Sequence, residues 1–201
     1  TQSLINPHFL FNCLNTISSM EYLEGAIQSR EATQLVATFL RDALSRVGSI
    51  VCIREEMEHI QRYIEIQKLR FGERISYELN VGEDCMEAQI PSMSLQPVIE
   101  NAIVHGVGDY KKDGRVILKV WRIDERIYVD VEDNGRGISP EQMKDIKATL
   151  CQEQLEEKNK YIGLRSTIVL LKSCFGEAFQ FAIESKTGEY TRVDLKFPRI
   201  V

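Results

Sequence analysis

Between Pro7 and Arg70 the chain has no internal proline and only Gly25 and Gly48 as breakers, and after Gly72 the spacing of its apolar residues changes. That change constrains the fold more than any other feature. Before it, apolar residues recur at helical spacing: Leu10, Leu14 and Ile17, then Leu35, Phe39, Leu40, Ala43, Leu44 and Val47. A third helical stretch, REEMEHIQRYIEIQKLRF, sets Ile60, Ile64 and Leu69 among charges. Pro7 suits the first turn of a helix, where its missing N–H costs nothing. Gly25 and Gly48 stand where C-terminal stops belong. The segment reads as an antiparallel hairpin of two helices, followed by a helix leading elsewhere. Two helices bury little, so self-association into a four-helix bundle is expected to complete their core.

After Gly72, RISYELNV, RVILKVWRID, RIYVDVED, FQFAIES and TRVDLKF read as strands, several of them alternating apolar and polar residues. VWRIDERIYV reads as a hairpin with Asp124 and Glu125 at its turn. Helical runs intervene at about Ser94–Val107, Pro140–Leu150 and Tyr161–Phe175. Helices on one side and a sheet on the other make an α+β fold, a two-layer α/β sandwich around one core. The boundary falls near residues 71–73, dividing a helical region, 1–71, from a sheet-bearing region, 72–201.

The 201 residues suffice for one large domain or two small ones, and the 43% hydrophobic and 27% charged shares are those of an ordinary globular protein. A net charge of −5 speaks against a nucleic-acid surface, which clusters basic residues. No run of about 18 uncharged apolar residues is present. The opening TQSLIN lacks the regions of a signal peptide. It also lacks a methionine, and an upstream part is expected to precede it. Cys13, Cys52, Cys85, Cys151 and Cys174 are odd in number and dispersed. They suggest neither a disulfide framework nor a zinc site, so reduced thiols in a cytosolic compartment are expected. His8, His59 and His105 are too scattered for a metal cluster.

Chemistry concentrates in three stretches. LQPVIENAIVHGV reads as a helix with Pro97 in its first turn and a cap near Ser92 or Ser94. Asn101 and His105 share a face, Glu100 lies about 100° round the axis, and Val98, Ile99, Ala102 and Ile103 form the buried side. An amphipathic helix with a polar rim accounts for this as simply as a site does. The functional reading makes the Asn101 side-chain oxygen a magnesium ligand, since magnesium takes hard oxygens and keeps waters and phosphates around it. VDVEDNGRGIS runs a strand into Asp133, then Gly135 and Gly137. A carboxylate at a strand end can accept the exocyclic N–H of adenine and repel the carbonyl of guanine. The two glycines let backbone approach a ligand and tolerate positive φ. An ordinary turn explains D-x-G-x-G equally well; order and spacing after the Asn-bearing helix raise it. In KNKYIGLRSTIVLLK a polar stretch from about Glu141 to Lys160 gives way to Gly163 and an apolar helix. N–H groups at a helix N-terminus, with Lys160 and Arg165, can hold phosphates, and such long polar segments can close as lids. A plain loop and helix start explains it too.

In this order the three stretches resemble the N, G1 and G2 boxes of the GHKL (Bergerat) ATP-binding superfamily. With INPHFLFNCLNTI at the front and QKLRFGERISYELNV and IPSMSLQPVIENAIVHGV in the middle, the chain looks like the cytoplasmic kinase core of a LytS-like sensor histidine kinase. The resemblance covers nearly the whole chain. It implies a helical dimerisation and phosphotransfer region over 1–71, with His8 as phosphoacceptor, and a catalytic ATP-binding domain over 72–201. It implies Asn101 as magnesium ligand, Glu100 and His105 as neighbouring nucleotide-site residues, and Asp133 as the adenine reader. Gly135, Gly137 and Gly163 would frame nucleotide and lid, with Lys160, Leu164 and Arg165 beside them. Asn12, one turn after His8, is placed to orient the imidazole through its other nitrogen. His59 matches no motif and is expected on an exposed helix surface.

The function so implied is that of a homodimeric, magnesium- and ATP-dependent histidine kinase. It would autophosphorylate His8 and pass the phosphoryl group to an aspartate of a response regulator. A sensor and transmembrane helices are expected upstream, making this the cytoplasmic part of a bacterial inner-membrane receptor that itself touches neither membrane nor nucleic acid. Three departures bear on that expectation. Phe9 follows His8 where many histidine kinases carry an acidic residue, which leaves the base unassigned. Tyr161 takes the place of a flexible lid glycine, which puts lid mobility and ATP affinity in question. Pro97 stands where hydrolytic members carry a water-activating glutamate, which argues against a dedicated ATPase. A pseudokinase scaffold and a serine kinase of the anti-sigma type are the competing readings; the second has no need of an acceptor hairpin.

Overall fold

The computed structural model describes residues 7–108, 112–151 and 162–200. Helices α1 (Pro7–Leu23) and α2 (Ile27–Ser45) form the expected hairpin, turning through Gly25 at φ 73°. Gly48, at φ 77°, follows α2, so both glycines adopt the left-handed conformation that ends helices. Apolar side chains of the hairpin, including Ile17, Met20, Leu23 and Ile27, remain exposed. Next come β1 (Ile50–Cys52) and α3 (Ile53–Phe71).

The sheet-bearing part contains β2 (Ile75–Val81), β3 (Gln89–Pro91), α4 (Gln96–Glu100), β4 (Gly114–Ile123), β5 (Arg126–Asp133), α5 (Pro140–Cys151), α6 (Ile162–Phe175), β6 (Gln180–Lys186) and β7 (Tyr190–Pro198). Among the described residues, five strands make one sheet in the order β2-β4-β5-β7-β6, with β2 parallel to β4 and the remaining pairs antiparallel. Ile123 pairs with Arg126, which leaves Asp124 and Glu125 as the two-residue turn read from the sequence. Asp124 adopts φ 52° there. Ile127, Val129 and Val131 of β5 and Val193, Leu195 and Phe197 of β7 bury one face of this α+β sandwich.

Two features carry no clear period in the sequence. Strands β1 and β3 pair antiparallel as a separate short ribbon. The helix expected over Ser94–Val107 also divides: α4 gives way to a wider π-helical turn over Asn101–Val107.

Helix α3 shares its core with the sheet. Ile53, Met57, Ile60 and Ile64 belong to one apolar cluster that extends from Phe39 to Phe197. The change of pattern at 71–73 therefore falls inside a continuous core. His59, expected on an exposed surface, is only 1% exposed. Its ring stacks on Phe39 of α2, with centroids 4.6 Å apart, and its Nε2 lies 2.7 Å from Gln96 Oε1 at the start of α4. The face of α3 that bears His59 is covered from two sides, by Phe39 and by the start of α4. Burial holds the imidazole below its ordinary pKa, and the Gln96 hydrogen bond opposes that shift.

Candidate functional site

The site begins with how α4 is started. The expected Ser92 or Ser94 cap is not used: Leu95 occupies the N-cap without a side-chain cap bond. A carboxylate from α3 takes over. Glu56, 2% exposed, accepts the Met93 N–H at 2.8 Å and the Leu95 N–H at 2.9 Å. One group thereby satisfies two backbone donors that a serine cap would satisfy one at a time. Burial pushes the Glu56 carboxyl above its ordinary range, and the backbone donors pull it back. Ser92 instead donates its hydroxyl to Arg46 O at 2.5 Å.

From α4 the chain delivers Asn101 and His105 into a cleft whose space, counted out to its open mouth, is about 640 Å³. Asn101 Nδ2 donates to Pro97 O at 2.7 Å, so the amide nitrogen is engaged in the helix and the amide oxygen is the donor a hard cation would use. From the end of β5 comes Asp133, 3% exposed, with Oδ1 accepting the Gly135 N–H at 2.9 Å.

Three glycines make this approach possible. A Cβ at Gly106 would lie 2.4 Å from Asp133 Oδ1, and one at Gly135 would lie 2.2 Å from the Gly106 carbonyl carbon and oxygen. Gly137, at φ 64°, passes so close to the Lys186 carbonyl that a Cβ would come within 2.2 Å of its oxygen. Backbone bonds lock the approach: Arg136 N–H donates to Gly106 O at 3.2 Å, and Gly188 N–H donates to Arg136 O at 2.6 Å. Val131, Ile183 and Val193 of the sheet and Val98, Ala102 and Leu164 of the helices supply the apolar walls. An apolar slot with one buried carboxylate suits a flat heterocycle that presents an N–H donor.

Of the residues singled out from sequence, Asn101, His105, Asp133, Gly137 and Leu164 line this one cleft. Gly135 stands immediately behind it. Gly163 is exposed, and a Cβ there would meet the Pro97 side chain at 3.5 Å. Arg165 is buried and Glu100 exposed, and neither belongs to the lining. Asn12 is exposed on α1. His8 falls in the first turn of α1, its side chain outside the described residues, and Lys160 and Tyr161 lie outside them altogether. Gly106, Arg136, Ile138, Gln142, Ile146 and Thr191 are among the lining residues that sequence reasoning missed. Gly106 had a signal, its place one residue after His105 in the motif, but spacing alone does not reveal a close approach across the chain.

Among the described residues, no three of His, Cys, Asp and Glu come together. A cation at Asn101 would therefore draw its other oxygens from phosphate and water, as magnesium commonly does. No helix among them is long and apolar enough to cross a membrane.

A histidine kinase family model matches residues 1–75, and the model of histidine kinase-, DNA gyrase B- and HSP90-like ATPases matches residues 91–200. The sensor histidine kinase BtsS of Escherichia coli is 29% identical over 195 residues, which cover 96% of this chain and 32% of BtsS. The sensor protein LytS of Oceanobacillus iheyensis is 32% identical over 185 residues, covering 92% and 31% respectively. The chain thus spans about a third of the length of these relatives. The catalytic domain of histidine kinase ThkA shares the fold, with a TM-score of 0.54 at 13% identity over 75% of this chain and 96% of that one.

Proposed function

We propose, because this chain belongs to the histidine kinase-, DNA gyrase B- and HSP90-like ATPase family and is LytS-like over nearly its whole length, that its cleft binds Mg-ATP and phosphorylates His8. One observation carries the reading: a buried carboxylate, Asp133, and a side-chain amide, Asn101, line a single apolar cleft, brought together by glycines that let its walls approach closely.

Asp133 accepts the exocyclic N–H of adenine, and the apolar walls hold the ring. Asn101 would hold magnesium, which when bound neutralises charge on the phosphates. His105 lines the cleft beside that end, with exposed Glu100 next to Asn101 outside the lining. Gly135, Gly137 and Gly163 frame the nucleotide and lid, and Lys160 would hold phosphate, whereas buried Arg165 lies outside the lining. A neutral ring nitrogen of His8 takes the γ-phosphoryl group. The N–P bond forms as the bond from the γ-phosphorus to the β–γ bridging oxygen breaks, and ADP leaves. Asn12 orients the ring. An aspartate of a response regulator then accepts the group.

The division of labour is 1–71 for dimerisation and phosphotransfer and 72–201 for catalysis, with α3 packed on the second. Exposed Ile17, Met20, Leu23 and Ile27 supply apolar surface for a homodimer through the hairpin. The whole protein is a bacterial inner-membrane receptor, with this part on the cytoplasmic side.

Equilibrium titration in magnesium tests the nucleotide half. ATP binds at one site per chain, ADP competes, and GTP binds at least about tenfold more weakly, because its carbonyl meets the Asp133 carboxylate. Absence of saturable ATP binding, or equal affinity for GTP, overturns the reading.

A further inference from the structure

Two buried titratable side chains take no part in the cleft. Glu56 and His59 stand one turn apart on α3 and are almost wholly enclosed. Burial of such groups is unfavourable unless they are hydrogen-bonded. Both find their partners on the short segment that leads into α4. The Glu56 carboxylate takes the N–H groups of Met93 and Leu95, and the His59 ring meets Gln96 Oε1 at 2.7 Å. Since Gln96 presents an oxygen, the ring nitrogen is the donor. Met93 holds φ 58°, a left-handed conformation that a residue with a side chain seldom adopts, and its N–H is one of the two that Glu56 anchors.

The same segment is also tied to the end of α2. Ser92 N–H donates to Ser49 O at 3.0 Å, and its hydroxyl donates to Arg46 O. The His59 ring rests on Phe39 of α2. Downstream the connection to the cleft is short. Gln96 precedes Pro97, whose carbonyl accepts Asn101 Nδ2 at 2.7 Å.

We propose that Glu56 and His59 are positioning residues: they set where Asn101 stands in the cleft, and His59, stacked on Phe39, makes that placement depend on α2. The inference rests on the reading of Asn101 as the metal and phosphate end of the site and of Asp133 as the base reader. A general loosening of the fold disturbs both ends of the cleft together. A displaced α4 start disturbs the Asn101 end, while Asp133, held by β5 and Gly135, keeps its place.

His59→Phe keeps an aromatic ring against Phe39 and deletes the bond to Gln96. Gln96→Leu deletes the same bond from a half-buried position that endangers the fold less. Affinity for Mg-ATP, and for adenosine by competition against a fluorescent ADP analogue, is measured on the unsubstituted chain, both single variants and the double. The expected result is a loss of about 3- to 10-fold in Mg-ATP affinity for each single variant, with no further loss in the double. Adenosine affinity stays within about twofold throughout, because the base-reading end is untouched. Unchanged Mg-ATP affinity in the variants, or parallel losses for Mg-ATP and adenosine, overturns the inference and leaves the proposed function standing. Failure of the unsubstituted chain to bind Mg-ATP overturns both.

Discussion

The variant Asp133→Asn binds ATP about 10- to 100-fold more weakly than the unsubstituted chain, the loss expected when a charge-assisted hydrogen bond is removed from an enclosed site. The geometry makes the asparagine a poor substitute. Asp133 Oδ1 already accepts the Gly135 N–H at 2.9 Å. An asparagine that keeps this bond with its oxygen turns its NH₂ toward the base, and the adenine amine is then met by a donor instead of an acceptor. An asparagine flipped the other way sets its NH₂ against the Gly135 N–H. Either choice leaves a buried donor unsatisfied. The first choice suits the guanine carbonyl, so the preference for ATP over GTP narrows in the same variant. Parallel titrations with the two nucleotides check both effects. Unaltered ATP affinity would show that Asp133 does not read the base.

Gly106→Ala has the second large effect, at a position that touches no phosphate and bears no chemistry of its own. Its new methyl would lie 2.4–2.7 Å from all three atoms of the Asp133 carboxyl group. Relief requires either the carboxylate or the π-helical turn to retreat. The turn is held by the Arg136 N–H on Gly106 O, and the carboxylate by the Gly135 N–H. We expect ATP affinity to fall by about 100-fold or more, as the base reader is displaced and the slot narrows. The chain itself stays folded, with stability lower by about 1–3 kcal/mol, the usual cost of overpacking. Gly163→Ala is the contrast. Its methyl meets only the Pro97 side chain at 3.5 Å, an ordinary contact, and in a helix alanine is the better former. Thermal melts beside ATP titrations distinguish the two outcomes.

The helices and strands were legible because each has a period long enough to recognise. The hairpin glycines, the Asp124–Glu125 turn and the five main strands all follow from spacing and turn chemistry. Strands β1 and β3 did not, because three residues set no alternation and their pairing is a long-range event. In α3 the period located the buried face but residue type concealed its members. Ile53, Glu56, Met57, Ile60 and Ile64 follow the helical repeat, and the polar residue in it looks like a break until its partners Met93 and Leu95 are seen. Leu69, which sequence spacing grouped with the apolar positions, is exposed instead. Within the cleft, Asn101, His105 and Asp133 were legible from the order and spacing of the stretches that carry them and from the resemblance these make together, not from either stretch alone. Gly106 was not, since a glycine needed for close approach looks like any other glycine until the opposing group is known. Sequence placed the serines near the start of α4, and the fold satisfied those donors from another helix.

Incubation of the chain with magnesium and γ-labelled ATP, beside His8→Gln and Asp133→Asn, tests the central claim most directly. The prediction is a covalent label that is acid-labile and alkali-stable, as a phosphorus–nitrogen bond requires, and that is absent from His8→Gln and, at ATP concentrations that do not saturate the variant, strongly reduced in Asp133→Asn. Label that persists in His8→Gln, or no label from a folded chain that binds ATP, would contradict the account; the second result would make the protein a nucleotide-binding scaffold.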